Sequence, residues 1–385
     1  MNNRVCKRCV MDDSDPDISF DENGVCNHCL NFDKNRHFEW FDNQSGMGYL
    51  HLILDKIKKE GKGKEYDSIL GLSGGVDSCY LALKAKEFGL RPLVVHVDAG
   101  WNSELAIANI ESVVKFCKFD LYTHVVDWEE IRDLQLSYLK AGVANQDVPQ
   151  DHIFFASIHH FAAKNNIKYI LNGGNFATES IFPKNWHANA MDSSNLLDIQ
   201  KTFSPVKLKK YKTISYFEYF IWYPFFKGIR SIRLLNYMPY NKSEAEDMLI
   251  SLIGYKKYGR KHGESQFTKI FQNYFLPKKF GFDKRRPHLS SLILSHQIAR
   301  KQALEELGKP LYDPIELEID LNYFCKKMRI SRKDFDFYLY SPNRTYREFK
   351  NWDSRYKFMQ KIQKVLNQLI GFKISHNLRV PKNPH

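Results

Sequence analysis

Long hydrophobic runs are what this sequence most plainly lacks. The most apolar stretch, Tyr216–Phe226, is 11 residues long and is interrupted by Glu218 and Pro224. That is about half of what a membrane-crossing helix needs. It predicts a packed helix end, with a docking patch on a membrane surface or a partner as the other reading. The first thirty residues contain no apolar run of signal-peptide length, so the expected location is the cytoplasm. A Walker A motif, GxxxxGK[ST], is missing as well. Cysteines number only seven, an odd count that fits no closed set of disulfides. In a reducing compartment, paired cysteines bind metal more often than they bridge. Acidic residues fall short of basic ones, 44 against 57, for a net charge of +13. Such an excess favours polyanionic ligands without choosing among RNA, a membrane surface and nucleotides. No segment is disordered by composition, and 385 residues allow two or three domains.

Four of the cysteines form two CxxC pairs, Cys6 with Cys9 and Cys26 with Cys29, separated by 16 residues. Two residues between cysteines let one tight turn aim both thiolates at a single ion, and two such turns complete a tetrahedron. The acidic, turn-rich segment between the pairs suits a short hairpin. A closed four-sulfur shell leaves no open coordination position, so the expectation is structural Zn2+. A redox dithiol is the alternative. His28 lies inside the second pair and is expected beside the shell or exposed.

From about Tyr66, strands and helices alternate. A short apolar run, Asp67–Leu72, leads into Ser73-Gly74-Gly75-Val76-Asp77-Ser78, and a helical pattern follows to Gly89. Further strands are predicted at Pro92–Asp98, Leu121–Val126, Lys168–Leu171 and Ile232–Tyr237. The intervening helices include Ser103–Phe116 and one from about Asp127. This alternation predicts an α/β fold with a parallel, doubly wound sheet, whose ligands sit at the carboxyl ends of the strands. Gly74 and Gly75 let the backbone turn tightly and approach phosphate oxygens. The helix N-terminus that follows favours negative charge. Ser73 and Ser78 add hydroxyl donors, and Ser78 is a candidate helix cap. Asp77 makes sense beside phosphates if it holds Mg2+ or orients the loop.

The SGGVDS segment resembles the PP-loop of the ATP pyrophosphatases, also called adenine nucleotide alpha hydrolase-like proteins. The resemblance implies that ATP is cleaved to AMP and pyrophosphate, with the loop holding the pyrophosphate. It places the adenosine near Val97 and Asp98, after the second strand. Gly173 and Gly174 follow the fourth strand at the same sheet edge, where an ordinary Gly-rich turn is the plainer alternative. Lys242 resembles the family's lysine that offsets charge developing on pyrophosphate. A solvated lysine at a helix start is the other reading.

A closer resemblance runs from Cys6 to roughly Leu307. It is carried by the two CxxC pairs, SGGVDSCY, VDAGWNSE, DVPQDH (Asp147–His152), NGGNFATES (Asn172–Ser180), LNYMPYNKSEAE and the block Gly263–Ile293. These resemble the N-acetyl sugar amidotransferases of bacterial surface-glycan and O-antigen biosynthesis. The resemblance implies that the acetamido carbonyl of a nucleotide-linked sugar, often a uronic acid, is adenylated and its oxygen replaced by ammonia. Catalytic roles then fall to Asp77 and Lys242, and substrate contacts to Asn175, Glu179, Lys284, Arg285, Arg286 and His288. The three basic residues would clamp a diphosphate, unless they form an exposed turn. Asp151, His152, Glu179 and His288 are further candidates for proton transfer or Mg2+ binding. The chain opens Met1-Asn2 and shows no glutaminase block, so a separate glutaminase and a companion ammonia-channelling subunit are the expected partners. Neither nucleic acid nor a membrane span is expected. The implied modules are 1–48, zinc-binding; 49–250, PP-loop; and 251–385, mainly helical and contributing to the sugar site. No comparable resemblance is evident after about Leu307, where Tyr356, Met359, Ile362, Val365, Leu366 and Leu369 are spaced as one apolar helix face.

The rival reading is a tRNA-modifying PP-loop enzyme, favoured by the basic charge, the zinc module and Cys79 directly after the loop. Against it, Cys79 sits among apolar residues and is expected to be buried. A non-catalytic adaptor is the third possibility.

Overall fold

The computed structural model describes residues 4–186, 188–258 and 263–370, the last nine without their side chains. Five strands, β1 (Ser68–Gly71), β2 (Pro92–Asp98), β3 (Leu121–Val125), β4 (Tyr169–Leu171) and β5 (Arg230–Ile232), form one parallel sheet of order β3-β2-β1-β4-β5. Successive strand residues point to opposite faces, and both faces here are apolar. Leu70, Val94 and Leu171 enter one core, while Ile69, Val95 and Ile170 enter the other. A sheet buried on both sides needs crossover helices on both sides.

Leading into β1 are α1 (Asn27–Glu39) and α2 (Gln44–Glu60). Between the strands come α3 (Val76–Glu87), α4 (Glu104–Cys117), α5 (Trp128–Ala141) and α6 (Val148–Lys164). Short α7 (Phe176–Glu179) and α8 (Ser193–Phe203) follow β4. After β5, α9 (Lys242–Ile253) returns to pack on α3 and α4, whereas α5, α6 and α8 cover the other face. Local chemistry sets the helix starts: Ser103 caps α4, Asp127 caps α5 and Asn241 caps α9 with side-chain oxygens.

The chain ends in a helical region, α10 (Gln266–Ile270), α11 (Leu276–Phe280), α12 (Arg285–Leu294), α13 (Arg300–Leu307), α14 (Pro314–Met328), α15 (Arg332–Tyr340) and α16 (Asp353–Ile370). Its aromatic core of Phe267, Phe275, Phe324 and Phe335 takes in Trp101 from the turn after β2. The N-terminal cysteines share a core with Leu50, Leu81 and Leu249, so the expected 1–48 and 49–250 modules are continuous in their packing.

Two expectations are corrected. The fifth strand ends at Ile232, and 234–237 forms a 3-10 turn instead of continuing the sheet. The Tyr216–Phe226 stretch is only half packed. It forms a π-helical segment, Glu218–Phe226, that buries Phe220 and Tyr223 while Phe217, Trp222, Phe225 and Phe226 are exposed. Pro224 has no N–H to donate, which disfavours regular α-helical bonding there. Of the predicted terminal apolar face, Tyr356 packs against the second core, and the side chains of Ile362, Val365, Leu366 and Leu369 lie outside the described residues. No helix among the described residues is long and apolar enough to cross a membrane.

Candidate active site

The sheet order reverses between β1 and β4, and the loops leaving these two strands meet there. Gly173 packs so tightly on the first turn of α3 that a Cβ on it would lie 3.0 Å from the Ser78 nitrogen. Gly74 adopts φ +85, and a Cβ there would lie 2.8 Å from the Ala106 carbonyl oxygen. Only glycine meets both conditions. Helix α3 begins with Gly75 at its N-cap and no side-chain cap. Ser78 is therefore not the helix cap expected from the sequence. Its hydroxyl lies 3.2 Å from the Ser73 hydroxyl, accepts from the Ser73 N–H at 3.3 Å and donates to the Gly75 carbonyl at 3.1 Å. The hydroxyls of Tyr255 and Tyr258 donate to the Gly74 carbonyl from below. The loop is thus pre-shaped, with the uncapped N-terminus of α3 facing outward, an arrangement suited to phosphate.

That loop forms one end of a cavity of about 790 Å3. Ser73, Gly75, Val76, Asp77 and Ser78 line it, with His96 and Val97 from β2, Gly173, Gly174 and Glu179 after β4, and Lys242 at the start of α9. The C-terminal region also contributes to the lining with Glu264, Ser265, Thr268, Lys284 and His288, and Glu264 comes close to the loop itself, 3.7 Å from a Cβ placed on Gly75. Most expected site residues therefore converge, although Asp98 and Asn175 stand behind the wall. Asp98 accepts the Gly100 N–H at 2.7 Å and shapes the turn after β2. Asn175 is almost fully buried; it caps α7 and donates to Asp77 Oδ1 at 3.3 Å. The Tyr240 hydroxyl donates to the same oxygen. Two donors thus fix Asp77, and neither was assigned this role from sequence. Tyr240 lies in the quoted MPYNK motif, which was its available signal. Lys242 Nζ pairs with no carboxylate among the described residues.

The expected diphosphate clamp is corrected in two of its three members. Arg285 reaches the cavity edge, but its guanidinium is bound to Asp283 and to the carbonyls of Glu306, Leu307 and Lys309. Arg286 donates to the Val10 carbonyl at 2.7 Å and pairs with the buried Asp12 at 2.9 Å. Both forks are satisfied by the protein, and among the three only Lys284 extends its charge into the cavity, near the Phe182 ring. His152 is also set aside as a proton carrier. Its Nδ1 donates to Ala190 O, its Nε2 accepts from the Ile214 N–H, and burial pushes it down to about 4.

Away from the cavity, the sulfurs of Cys6, Cys9, Cys26 and Cys29 all lie within 4.8 Å of one another, with three pairs at 3.6 to 3.8 Å. A tetrahedron with Zn–S bonds of about 2.3 Å has edges of about 3.8 Å, so the four side chains fit zinc as they stand. Backbone N–H groups of Arg8 and Cys26 point at Cys6 Sγ, and that of Met11 at Cys9 Sγ. Hydrogen bonds from Cys26 and then Cys29 pull the Cys6 and Cys9 thiols down, while Cys26 and Cys29 themselves are pushed up. His28 stands beside this shell, with Nε2 2.7 Å from buried Asp15. Arg300 donates to the carbonyls of Cys6 and Cys9, and Ser290 accepts the Val10 N–H. The knuckle is therefore clasped by α12 and α13, whose neighbours line the cavity.

Sheet topology and the loop at its switch point define an α/β domain with a parallel, doubly wound sheet, the architecture that the PP-loop resemblance implies. Residues 264–363 match the family model described as LPS biosynthesis protein WbpG-like, C-terminal domain. The C-terminal region thus resembles a WbpG-like domain, in keeping with the resemblance to the N-acetyl sugar amidotransferases. Its match extends well past Leu307, where the sequence alone showed no kinship. Among solved structures, NMN synthetase from Francisella tularensis is 13% identical with a TM-score of 0.36, covering 75% of this chain and 98% of that one. NH3-dependent NAD synthetase from Campylobacter jejuni subsp. jejuni NCTC 11168, in complex with the nitrate ion, is 12% identical with a TM-score of 0.33, covering 78% and 98%. Overlaps this loose carry no weight for the chemistry. No curated protein matches the chain significantly.

Proposed function

We propose that the chain is an AMP-forming, ATP-dependent amidotransferase acting in the cytoplasm on a nucleotide-linked N-acetyl sugar in lipopolysaccharide or O-antigen biosynthesis. One observation carries the reading: a single cavity is lined both by the SGGVDS loop and by the region that matches the WbpG-like family model. ATP would lie with its pyrophosphate on Ser73–Ser78, beside Lys242, and its base toward Val97. Mg2+ travels with ATP, and the fixed Asp77 carboxylate is the nearest fit for it. The sugar nucleotide would fill the remaining space, near Glu179, Lys284 and His288.

An amide oxygen leaves poorly until it is activated, and adenylation turns it into the phosphate oxygen of AMP. Lys242 offsets charge as pyrophosphate departs. Ammonia then displaces AMP and an acetamidino sugar results. A separate glutaminase with a companion channelling subunit would supply the ammonia. The tRNA-modifying alternative loses its reactive thiol, because all seven cysteines are buried and burial pushes Cys79 well up.

The test combines purified protein, ATP, Mg2+, ammonium and a panel of nucleotide-linked acetamido sugars. AMP and pyrophosphate release that depends on one sugar, with a product one mass unit lighter, supports the proposal. Release triggered only by bulk tRNA would replace it with the RNA-modifying reading.

A further inference from the structure

Helix α6 lines the cavity with Gln150, Asp151, Phe154, Phe155, Ile158 and His159, and Asp151 is the one carboxyl the helix itself contributes. One turn earlier, Asp147 also faces the cavity, but its oxygens are tied to the C-terminal domain. Thr268 donates to Oδ1 at 3.0 Å and Gln272 to Oδ2 at 3.2 Å. The Asp151 carboxyl, in contrast, accepts no hydrogen bond from a described residue. Three groups act on it electrostatically: Asp147 at the N-cap of its own helix, Tyr211 from the segment after α8 and Lys284 from the turn before α12. Burial first, and then the Asp147 charge, push it well above the usual carboxylate range, against the pull of Lys284. A carboxylate so placed is a stronger base than one in water.

The reaction proposed above needs such a group. Ammonia attacking the adenylated acetamido carbon becomes a cationic nitrogen and must shed a proton before AMP departs cleanly. Two other bases around the cavity are poorly suited. Asp77 Oδ1 is held by Tyr240 and Asn175, and His159 is pushed down to about 4 by burial while its Nδ1 donates to Phe155 O. We propose that Asp151 is the catalytic base that accepts the proton from ammonia as it attacks; this rests on the amidotransferase reading.

The steps balance. The ammonia lone pair forms the new C–N bond, and the C=N pair of the adenylated imidate moves onto the sugar nitrogen. One proton passes from the incoming nitrogen to Asp151. The C–O bond then breaks, its electrons leaving with AMP, and Asp151 returns the proton to the product, which departs as an amidinium cation. The acetamido N–H proton leaves with pyrophosphate when the imidate forms, so acetamide, ammonia and ATP give amidinium, AMP and protonated pyrophosphate, with no other reactant.

The experiment compares full-length wild type, Asp151→Asn and Asp151→Glu with whichever sugar supports turnover. ATP–pyrophosphate exchange reads adenylation alone. Amidine formation across pH, at a constant concentration of free ammonia, reads the second half. Asp151→Asn should keep exchange within about threefold of wild type and lower amidine formation by about 10²–10⁴-fold. Wild-type rates should rise with pH as the carboxylate form accumulates. The asparagine variant should lose that rise, and glutamate should restore part of the rate. Unchanged amidine formation in Asp151→Asn, an equal fall in exchange, or a wild-type rate without the rising limb would each overturn the assignment. The wild-type profile tests it even if a variant fails to fold. If the wild type forms no AMP with any sugar, the functional reading itself falls; if it turns over but Asp151→Asn does too, only this inference does.

Discussion

Gly173→Ala tests whether the meeting of the β1 and β4 loops sets the geometry of the site. A Cβ at 173 would sit 3.0 Å from Ser78 N, 3.1 Å from Asp77 C and 3.1 Å from Ser78 Cα. All three atoms are backbone in the first turn of α3, so no flexible side chain can swing aside. Relief requires the loops to part by roughly 0.5 Å, at a stability cost of about 1–3 kcal/mol for overpacking. Displacements approaching ~1 Å at a reacting centre cost about 10²-fold in rate, so the expected fall in pyrophosphate release is about tenfold or more. Gly48→Ala is the matched control. Gly48 lies inside α2 with nothing within 4 Å of a built Cβ, so alanine should stabilise by about 0.4–1 kcal/mol and leave the rate unchanged. Urea unfolding and steady-state pyrophosphate release on both variants decide the matter. A Gly173→Ala protein with stability and rate within twofold of wild type would refute the argument from tight approach.

Three further outcomes are expected. Arg286→Ala should destabilise by about 3–5 kcal/mol, because it strands the buried Asp12 charge, whereas Lys284→Ala should raise the KM for the sugar nucleotide with little change in unfolding; the reverse pattern would restore Arg286 to the substrate clamp. Cys26→Ser should lose stoichiometric zinc by metal analysis and unfold at lower temperature, and a variant that keeps both would exclude a four-sulfur site. Burial pushes the Asp192 carboxyl up to about 7 from 3.8. The folded state therefore binds more protons than the unfolded one between those values, and stability should fall as pH rises from about 4 to about 7 and then level off. Asp192→Asn should flatten that slope in urea titrations at pH 5 and 8, and equal slopes in both proteins would show that Asp192 does not set it.

Local sequence patterns carried most of the sheet and little of the C-terminal region. Strands β1 to β4 were legible because their apolar runs end in turn or capping residues at each βα junction, and SGGVDS marked the switch point. The fifth strand was misjudged because Arg230–Ile232 is short and partly exposed, while the following Leu234–Leu235 pair is apolar for reasons of packing beneath the loop. Arg285 and Arg286 read as a phosphate clamp because a cluster of charges gives no hint of distant partners. Asp12 is the decisive one, and it lies on the other side of the whole α/β domain in sequence. Tyr240 and Asn175 stayed unassigned for the same reason: their hydrogen bonds to Asp77 span 163 and 98 residues.

The clasp of Arg286, Ser290 and Arg300 on the cysteine knuckle ties the order of synthesis to the order of completion. The knuckle leaves the ribosome well before its holders, so at about 5–20 residues per second it waits roughly 15–60 s for them. During that interval its carbonyls at Cys6, Cys9 and Val10 have no arginine to receive, and its core faces lack α12. A nascent chain stalled before residue 286 would present an unfinished surface on the knuckle. Quality control could read such a surface as the mark of a message translated only in part.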